Sequence, residues 1–459
     1  MLEDPLLRGR FALRLGRLLE LAEREVARTR HDPQFHPIAL HYRNRFRAGL
    51  SQYEDRYRRD VTGAFRAVSG AGQARLITCA ATHGFLPLMD LGRASWRAQI
   101  GVASREFERH MGSRPEGMWL PECGYAPGVE SVLAEFGVRF FVVDSHGILH
   151  ACPRPVPGTF APFRTRAGVH AIGRDADSSR QVWSATEGYP GDPEYREYYR
   201  DQGFDLPLEE VREFLPSGGT RTHLGLKYYR ITDRRGTPRE PYDPARASLR
   251  AKGHAAHFVA ERVAQARDAA ERLGQPALLV APYDAELMGH WWYEGPEWLG
   301  SVLDLLDDPR SAVEATDPID AIGRIPRAPE GDLHPSSWGE GGYAAVWVDP
   351  SNDWIYRHLN RAAERMEELA RAGDGGDLLR GRALRQAGRE LLLAQASDWA
   401  FIMRVGTLVP YAIRRTELHL QRFGALADAL SAGRIVGGQL EEYERLDPVF
   451  PDLDPGLFA

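Results

Sequence analysis

The run Gly117-Met-Trp-Leu-Pro-Glu-Cys-Gly-Tyr125 sets the pattern from which the fold is read. Gly117 to Leu120 is a short apolar stretch with strand character. Pro121 ends it, and Glu122 stands just past its end. The arrangement recurs. Ala74-Arg-Leu-Ile-Thr-Cys79 runs into Ala81-Thr-His83-Gly84, Val138-Arg-Phe-Phe-Val-Val-Asp144 ends on an acid, and Ala277-Leu-Leu-Val-Ala281 leads to Asp284. Helical patterns lie between them, near residues 92–111, after Pro127-Gly128, and over 245–273. Short buried strands alternating with helices predict an α/β fold with a parallel sheet and crossover helices. In barrels built this way the chemistry sits at the C-terminal rim of the strands, which makes His83, Glu122, Asp144 and Asp284 the candidate residues.

Outside this core, residues 8–30 and 54–69 read as amphipathic helices. Residues 145–180, with Pro153, Pro155, Pro157, Gly158 and Pro162, read as a loop-rich excursion. Residues 184–245 are dense in Tyr, Gly, Pro and Arg and show little periodicity, as cleft-building loops do. From about 353 only helical patterns remain (353–371, 377–397 and 410–431), broken at Gly373-Asp-Gly-Gly376. A helical C-terminal domain is therefore expected from about 336.

The composition narrows the function. The chain has 459 residues, 43% hydrophobic and 27% charged, as an ordinary globular protein of two or three domains has. A formal charge of -6 gives no general attraction for nucleic acid or an anionic membrane, so neither is an expected partner. Cys79, Cys123 and Cys152 form no CxxC pair, which argues against a disulfide framework or zinc cluster and for a reducing, cytoplasmic setting. No segment has the length of a membrane span or the pattern of a signal peptide.

Glu122 lies between Trp119 and Tyr125, and Asp284 precedes His290-Trp-Trp-Tyr293. Two acids ringed by indoles and phenols suit carbohydrate chemistry. One carboxyl protonates a glycosidic oxygen while another attacks or stabilises the oxocarbenium-like centre. Glu122 has a plain alternative as a helix-capping surface acid. Glu286 stands two residues beyond Asp284, so either could be the functional acid; the strand-end position favours Asp284. Of Trp291 and Trp292, at least one is expected to line a groove. Trp338 and Trp347 flank Gly341-Gly342, which suggests two indoles presented by one glycine-rich loop, with core packing as the alternative. No phosphate-binding GxxxxGK[ST] occurs. His254 and His257 have no carboxylate placed to complete a metal site, so no metal and no cofactor are expected.

At these residues the sequence resembles family 57 glycoside hydrolases, and among them the 1,4-α-glucan branching enzymes. The resemblance rests on the His83, Glu122 and Asp284 segments already quoted. It extends to Gln181-Val-Trp-Ser184, Gly188-Tyr-Pro-Gly-Asp192 with Tyr195-Arg-Glu197, Gly225-Leu-Lys-Tyr-Tyr-Arg-Ile-Thr232, Trp338, Trp347 and Ser397-Asp-Trp399. It spans nearly the whole chain. It implies a (β/α)7-type barrel over 1–335, an inserted subdomain at about 124–165, and a helical C-terminal domain over 336–459. It also implies a retaining mechanism on an α-1,4-glucan, with Glu122 as nucleophile and Asp284 as acid/base, about 5–5.5 Å apart. Burial against Trp291 and the charge of Glu122 would raise the Asp284 pKa. His83, Arg196, Trp338, Trp347 and Asp398 would hold the glucan.

Two features depart from the family pattern. Members begin with a strand carrying a His-x-His-x-Pro-Tyr or His-Gln-Pro-Tyr motif, which this sequence lacks. A barrel without that first strand exposes two sheet edges and loses a catalytic histidine, which predicts low stability and little activity. Branching members also carry a tyrosine at the tip of a loop over the cleft. The matching segment here, Arg154-Pro-Val-Pro-Gly-Thr-Phe-Ala161, has Pro157. A loop that shields the intermediate from water favours transfer over hydrolysis. An amylase or 4-α-glucanotransferase, and an inactive glucan-binding relic, are the competing expectations.

Overall fold

The computed structural model describes residues 2–89, 93–184, 186–216, 219–232 and 239–459. The expected helix start at residue 92, and residues 185, 217–218 and 233–238 of the irregular stretch, lie outside the described residues. The chain divides into two compact units. The first is Met1–Ala74, Asp175–Gly274 and Ala281–Thr316; the second is Arg75–Arg174, Gln275–Val280 and Asp317–Ala459. The expected division at 335/336 falls inside the second.

The second unit holds the sheet. Its strands are β1 (Thr78–Cys79), β2 (Gly117–Trp119), β3 (Phe140–Val143), β4 (Phe163–Thr165), β5 (His170–Gly173) and β6 (Glu330–Gly331), in the spatial order β1-β2-β3-β5-β4-β6. The first four in that order run parallel. Their register sets Thr78 beside Met118, Met118 beside Phe141, and Phe141 beside Ala171. All four residues of β3 are buried, as a strand covered on both faces requires. Gly117 is needed here, because a Cβ would lie 2.2 Å from the Phe140 ring. Among the described residues the sheet is open.

Two readings of this region are corrected. Residues 145–180 contain β4 and β5, paired antiparallel, because the prolines flank these strands and do not interrupt them. Phe163 and Thr165 face inward, Arg164 faces out, and Gly168 at φ 82° makes the turn between them. Residues 277–281, read as a strand, are not one. Leu278 is buried, and its N–H donates to the Phe160 carbonyl at 2.9 Å, a lone bond in place of a repeated ladder.

The helical expectation after 353 holds, with helices Trp354–Ala372, Leu378–Ala394, Ser397–Val405, Val409–Ala432 and Gly437–Leu446. Met366, Leu384, Leu391, Phe423 and Phe458 form their core together with Ala98 and Val102 of helix Ala94–Met111. The helix expected over 377–397 ends at Ala394, and after Gln395-Ala396 comes a helix, Ser397–Val405, that the sequence pattern did not indicate.

In the first unit, helix Pro5–Arg28 packs on helix His36–Ser51, which carries Ile38, Ala39 and Tyr42 into the core. The long helix Pro244–Leu273 starts on Asp243, whose side chain accepts the N–H groups of Ala245 and Arg246, and it packs on helix Gly295–Leu306. Tyr195, Tyr228, Trp292 and Trp298 are buried at its centre.

Candidate active site

Glu122 sits on a strained turn. The chain leaves β2 through Leu120 and folds over Pro121–Cys123, with Glu122 at φ 61° and Cys123 at φ 52°. Left-handed backbone at non-glycine residues costs on the order of 1 kcal/mol or more each and persists only where neighbours hold it. Here they do. Tyr125 and Ser336 exchange backbone hydrogen bonds of 2.8 and 3.2 Å, and the Trp338 N–H donates to the Glu122 carbonyl at 2.9 Å.

The same tryptophan holds the carboxylate. Trp338 Nε1–H donates to Glu122 Oε2 at 2.6 Å, while Glu122 Oε1 lies 3.8 Å from His83 Nδ1. His83 follows β1, also in left-handed backbone at φ 54°, and its Nδ1 is 2.8 Å from Ser397 Oγ. Next to Ser397, the exposed Asp398 stands in the first turn of helix Ser397–Val405. Burial raises the Glu122 pKa above its ordinary value; the Trp338 hydrogen bond and His83 oppose the rise, and the Asp398 charge adds to it. His83, Glu122, Trp338 and Asp398, drawn from distant sequence segments, therefore come together.

Trp338 is itself braced. Its ring meets Trp119 edge-on with centroids 4.9 Å apart, and the Arg174 guanidinium lies 5.5 Å over it. Arg174 is paired with Asp144 at 2.8 Å, and Asp144 Oδ1 is 3.3 Å from His146 Nδ1. Asp144, a strand-end candidate, is thus committed to an ion pair. Sequence reasoning missed Arg174 and gave Ser397 no role beyond its place in the Ser397-Asp-Trp399 segment. Arg174 directly follows β5, so the strand-end rule would have found it had β5 been recognised.

Trp347 departs from expectation. It is 1% exposed and stacks on Phe85 with centroids 4.2 Å apart, so the loop presents one indole and packs the other. A Cβ at Gly339 would lie 2.7 Å from the Trp347 ring, which explains a glycine directly after Trp338.

The remaining candidates belong to the first unit. Asp284 is half-buried at the head of a turn, its carbonyl accepting the Leu287 N–H at 3.2 Å. Beyond it, the Trp291 N–H donates to the Glu286 carbonyl at 3.0 Å and the Trp292 N–H to the Leu287 carbonyl at 3.0 Å. The turn buries Trp292 and leaves Trp291 45% exposed, as the paired tryptophans suggested. Glu286 is exposed. Arg196 is only 8% exposed: its guanidinium lies 4.0 Å over the Tyr293 ring and donates to Tyr42 Oη at 3.3 Å. It presents no open cation to a ligand. Glu294, which the sequence reading did not single out, is buried beside it. Its Oε1 accepts from Tyr242 Oη at 2.8 Å and the Arg196 N–H at 3.1 Å, and burial raises its pKa.

Metal-like spacing occurs at Glu390, His419 and Asp447, all buried in the helical region. Arg415 donates to His419 Nε2 at 2.8 Å, which leaves Nδ1–H to donate to Glu390 Oε2 at 2.7 Å. Arg422 pairs with Asp447. Arg415 also lies 3.8 Å from Asp447, and Glu390 Oε1 accepts from Gln386 Nε2 at 2.8 Å, so each acid already has protein partners, as in a structural network. His254 Nδ1 and His257 Nδ1 pair with different hydroxyls, Tyr195 Oη and Tyr189 Oη, each at 2.7 Å.

Residues 10–234 match the family described as glycosyl hydrolase family 57, and residues 358–458 match that described as 1,4-alpha-glucan branching enzyme, C-terminal. The 1,4-alpha-glucan branching enzyme of Thermococcus kodakarensis is 32% identical over all of this chain and 69% of its own length. The chain belongs to glycosyl hydrolase family 57. Its structure superposes on the alpha-amylase AmyC of Thermotoga maritima with a TM-score of 0.93 at 39% identity, covering all of this chain and 87% of that one. The Thermococcus branching enzyme structure gives 0.88 at 32% identity, with 100% and 84% covered. The family 57 fold of these structures bears out the expected α/β, barrel-type class with a helical C-terminal region. Among the described residues no helix is long and apolar enough to cross a membrane.

Proposed function

We propose that this family 57 chain is a 1,4-α-glucan branching enzyme. It cleaves an α-1,4 bond of a glycogen-like glucan and transfers the released segment to a glucan 6-hydroxyl, making an α-1,6 branch. The observation that carries this reading is the match along the whole chain to the Thermococcus branching enzyme, joined to the branching-enzyme match of the helical region.

In this reading Glu122 is the nucleophile. Trp338 fixes one carboxylate oxygen and offsets the cost of burying the charge, leaving the other oxygen to attack the anomeric carbon. Asp284 gives its proton to the departing glycosidic oxygen. In the second step it removes the proton of the acceptor 6-hydroxyl, which attacks the same carbon and frees Glu122. His83 and Asp398 border the nucleophile and hold the sugar with Trp338. Trp347 supports the His83 loop through its stack on Phe85. Storage-glucan synthesis in the cytoplasm is the setting we infer, in keeping with three cysteines that form no disulfide.

The test is the product formed from amylose. Branching lowers iodine colour without a matching rise in reducing ends and adds an α-1,6 anomeric signal to the ¹H NMR spectrum. The signal should vanish in Glu122→Gln. A rise in reducing ends that matches the colour loss would refute branching.

A second reading, hydrolysis as in an α-amylase or plain α-1,4 transfer, is favoured by one feature. The segment that carries a tyrosine in branching members has Pro157 here, beside a 92% exposed Val156. Products free of isoamylase-sensitive branches would select it.

A further inference from the structure

The first unit carries a continuous line of aromatic rings on its surface. Phe204 meets His223 (centroids 5.1 Å apart), His223 meets Tyr198 (6.3 Å), and Tyr198 meets His290 (5.6 Å). His290 then meets Trp291 (6.1 Å), which meets Trp183 (6.2 Å). Tyr199 branches from the line, 5.3 Å from Tyr198 and 77% exposed. These rings come from four separate segments of the chain, so tertiary folding and not sequence adjacency aligns them. Phe204, His223, Tyr199, His290 and Trp291 are all exposed. A row of exposed rings loses hydrophobic stabilisation and is retained where something covers it.

The chemistry of the row indicates what covers it. Three consecutive rings at its middle carry polar edges: Tyr198 Oη is 3.2 Å from His290 Nε2, and the Lys227 ammonium stands 3.1 Å from His223 Nδ1. Flat faces interrupted by hydrogen-bonding groups match a chain of pyranose rings, which present C–H faces and equatorial hydroxyls in alternation. The row also passes the Asp284 turn, to which Trp291 is tied by its N–H bond to the Glu286 carbonyl. We propose that the track from Trp291 to Phe204 binds an α-1,4-glucan chain along its length, extending the substrate contacts away from Asp284. This rests on the glucan reading above and adds to it where a long chain lies.

The test is binding to amylose in the cold, in a Glu122→Gln background that prevents turnover. Tyr199→Ala/Phe204→Ala should weaken binding roughly tenfold with an unchanged melting temperature. Tyr199→Phe, which keeps the ring, should bind as the parent does. Phe65→Ala, an exposed ring elsewhere on the unit, should also leave binding unchanged. Parental affinity in the double variant would overturn the track. So would a change in self-association with glucan affinity intact, which would assign the rings to contacts between copies. If the parent itself fails to bind amylose, the glucan reading falls, and this proposal with it.

Discussion

Trp338 holds Glu122 twice, through its backbone N–H on the Glu122 carbonyl at 2.9 Å and through its indole N–H on the carboxylate at 2.6 Å. The first bond stabilises a left-handed backbone, and the second stabilises the charge that backbone aims. Trp338→Phe keeps the backbone bond and the ring but removes the donor. Loss of one donor to a developing or buried charge costs about 10²–10³-fold in kcat. Steady-state kinetics should show a fall of that size with the melting temperature little altered.

Glu122 must be ionised to attack, and its pKa stands above the ordinary carboxylate value chiefly through burial. The acid limb of the pH–rate profile therefore lies above the usual range. Asp398→Asn removes a like charge and should shift that limb to lower pH. Trp338→Phe removes a hydrogen bond to the charged form and should shift it higher. Shifts of the same sign in both variants would contradict this placement of the two groups.

Glu122→Gln should lower transfer by about a thousandfold or more. It should also alter stability in a defined window. A carboxyl whose folded pKa exceeds its unfolded value disfavours the fold as pH rises through that interval, because the folded state holds the proton more tightly. The amide carries no such penalty. Denaturant melts should find the variant at least as stable as the parent at neutral pH, with the advantage gone in acid.

His41 gives the opposite dependence. Its Nε2 is 2.7 Å from Tyr293 Oη, and burial, with Arg45 and Arg196 nearby, lowers its pKa from 6.5 to about 4. The unfolded chain takes up this proton first, so the stability it contributes is present above about 6.5 and is lost as pH falls towards about 4. His254, lowered to about 4 mainly by burial, acts in the same window. His41→Gln should flatten the decline of melting temperature between those pH values.

Trp347 is fully enclosed against Phe85, two residues beyond His83. Trp347→Ala should cost about 3–5 kcal/mol and lower the melting temperature markedly. Activity should fall as well, since the His83 loop rests on this stack. Unchanged stability would mean that the indole is not packed as described.

Much of this protein was legible in its residues. The alternating strands around 117 and 138, the helical run after 353, and the acid-aromatic pairs at Glu122 and Asp284 follow from short-range physics. Buried parallel strands must be apolar throughout, helices repeat their apolar positions, and proline and glycine mark the ends. The strand β5 was hidden because its neighbourhood is rich in proline, and Arg174 was hidden with it.

What only the tertiary structure decided was which side chain meets which. Trp338 and Trp347 share one glycine-rich loop and read alike in sequence, yet one bonds the carboxylate and the other lies inside the core. Arg196, expected at a ligand, is enclosed under Tyr293. The ring track needs four segments brought into line. Sequence patterns report local periodicity and burial on average, whereas these assignments depend on contacts between residues far apart in the chain, 216 positions for Glu122 and Trp338. Such contacts are fixed by the packing of the whole unit and not by the nearby chain.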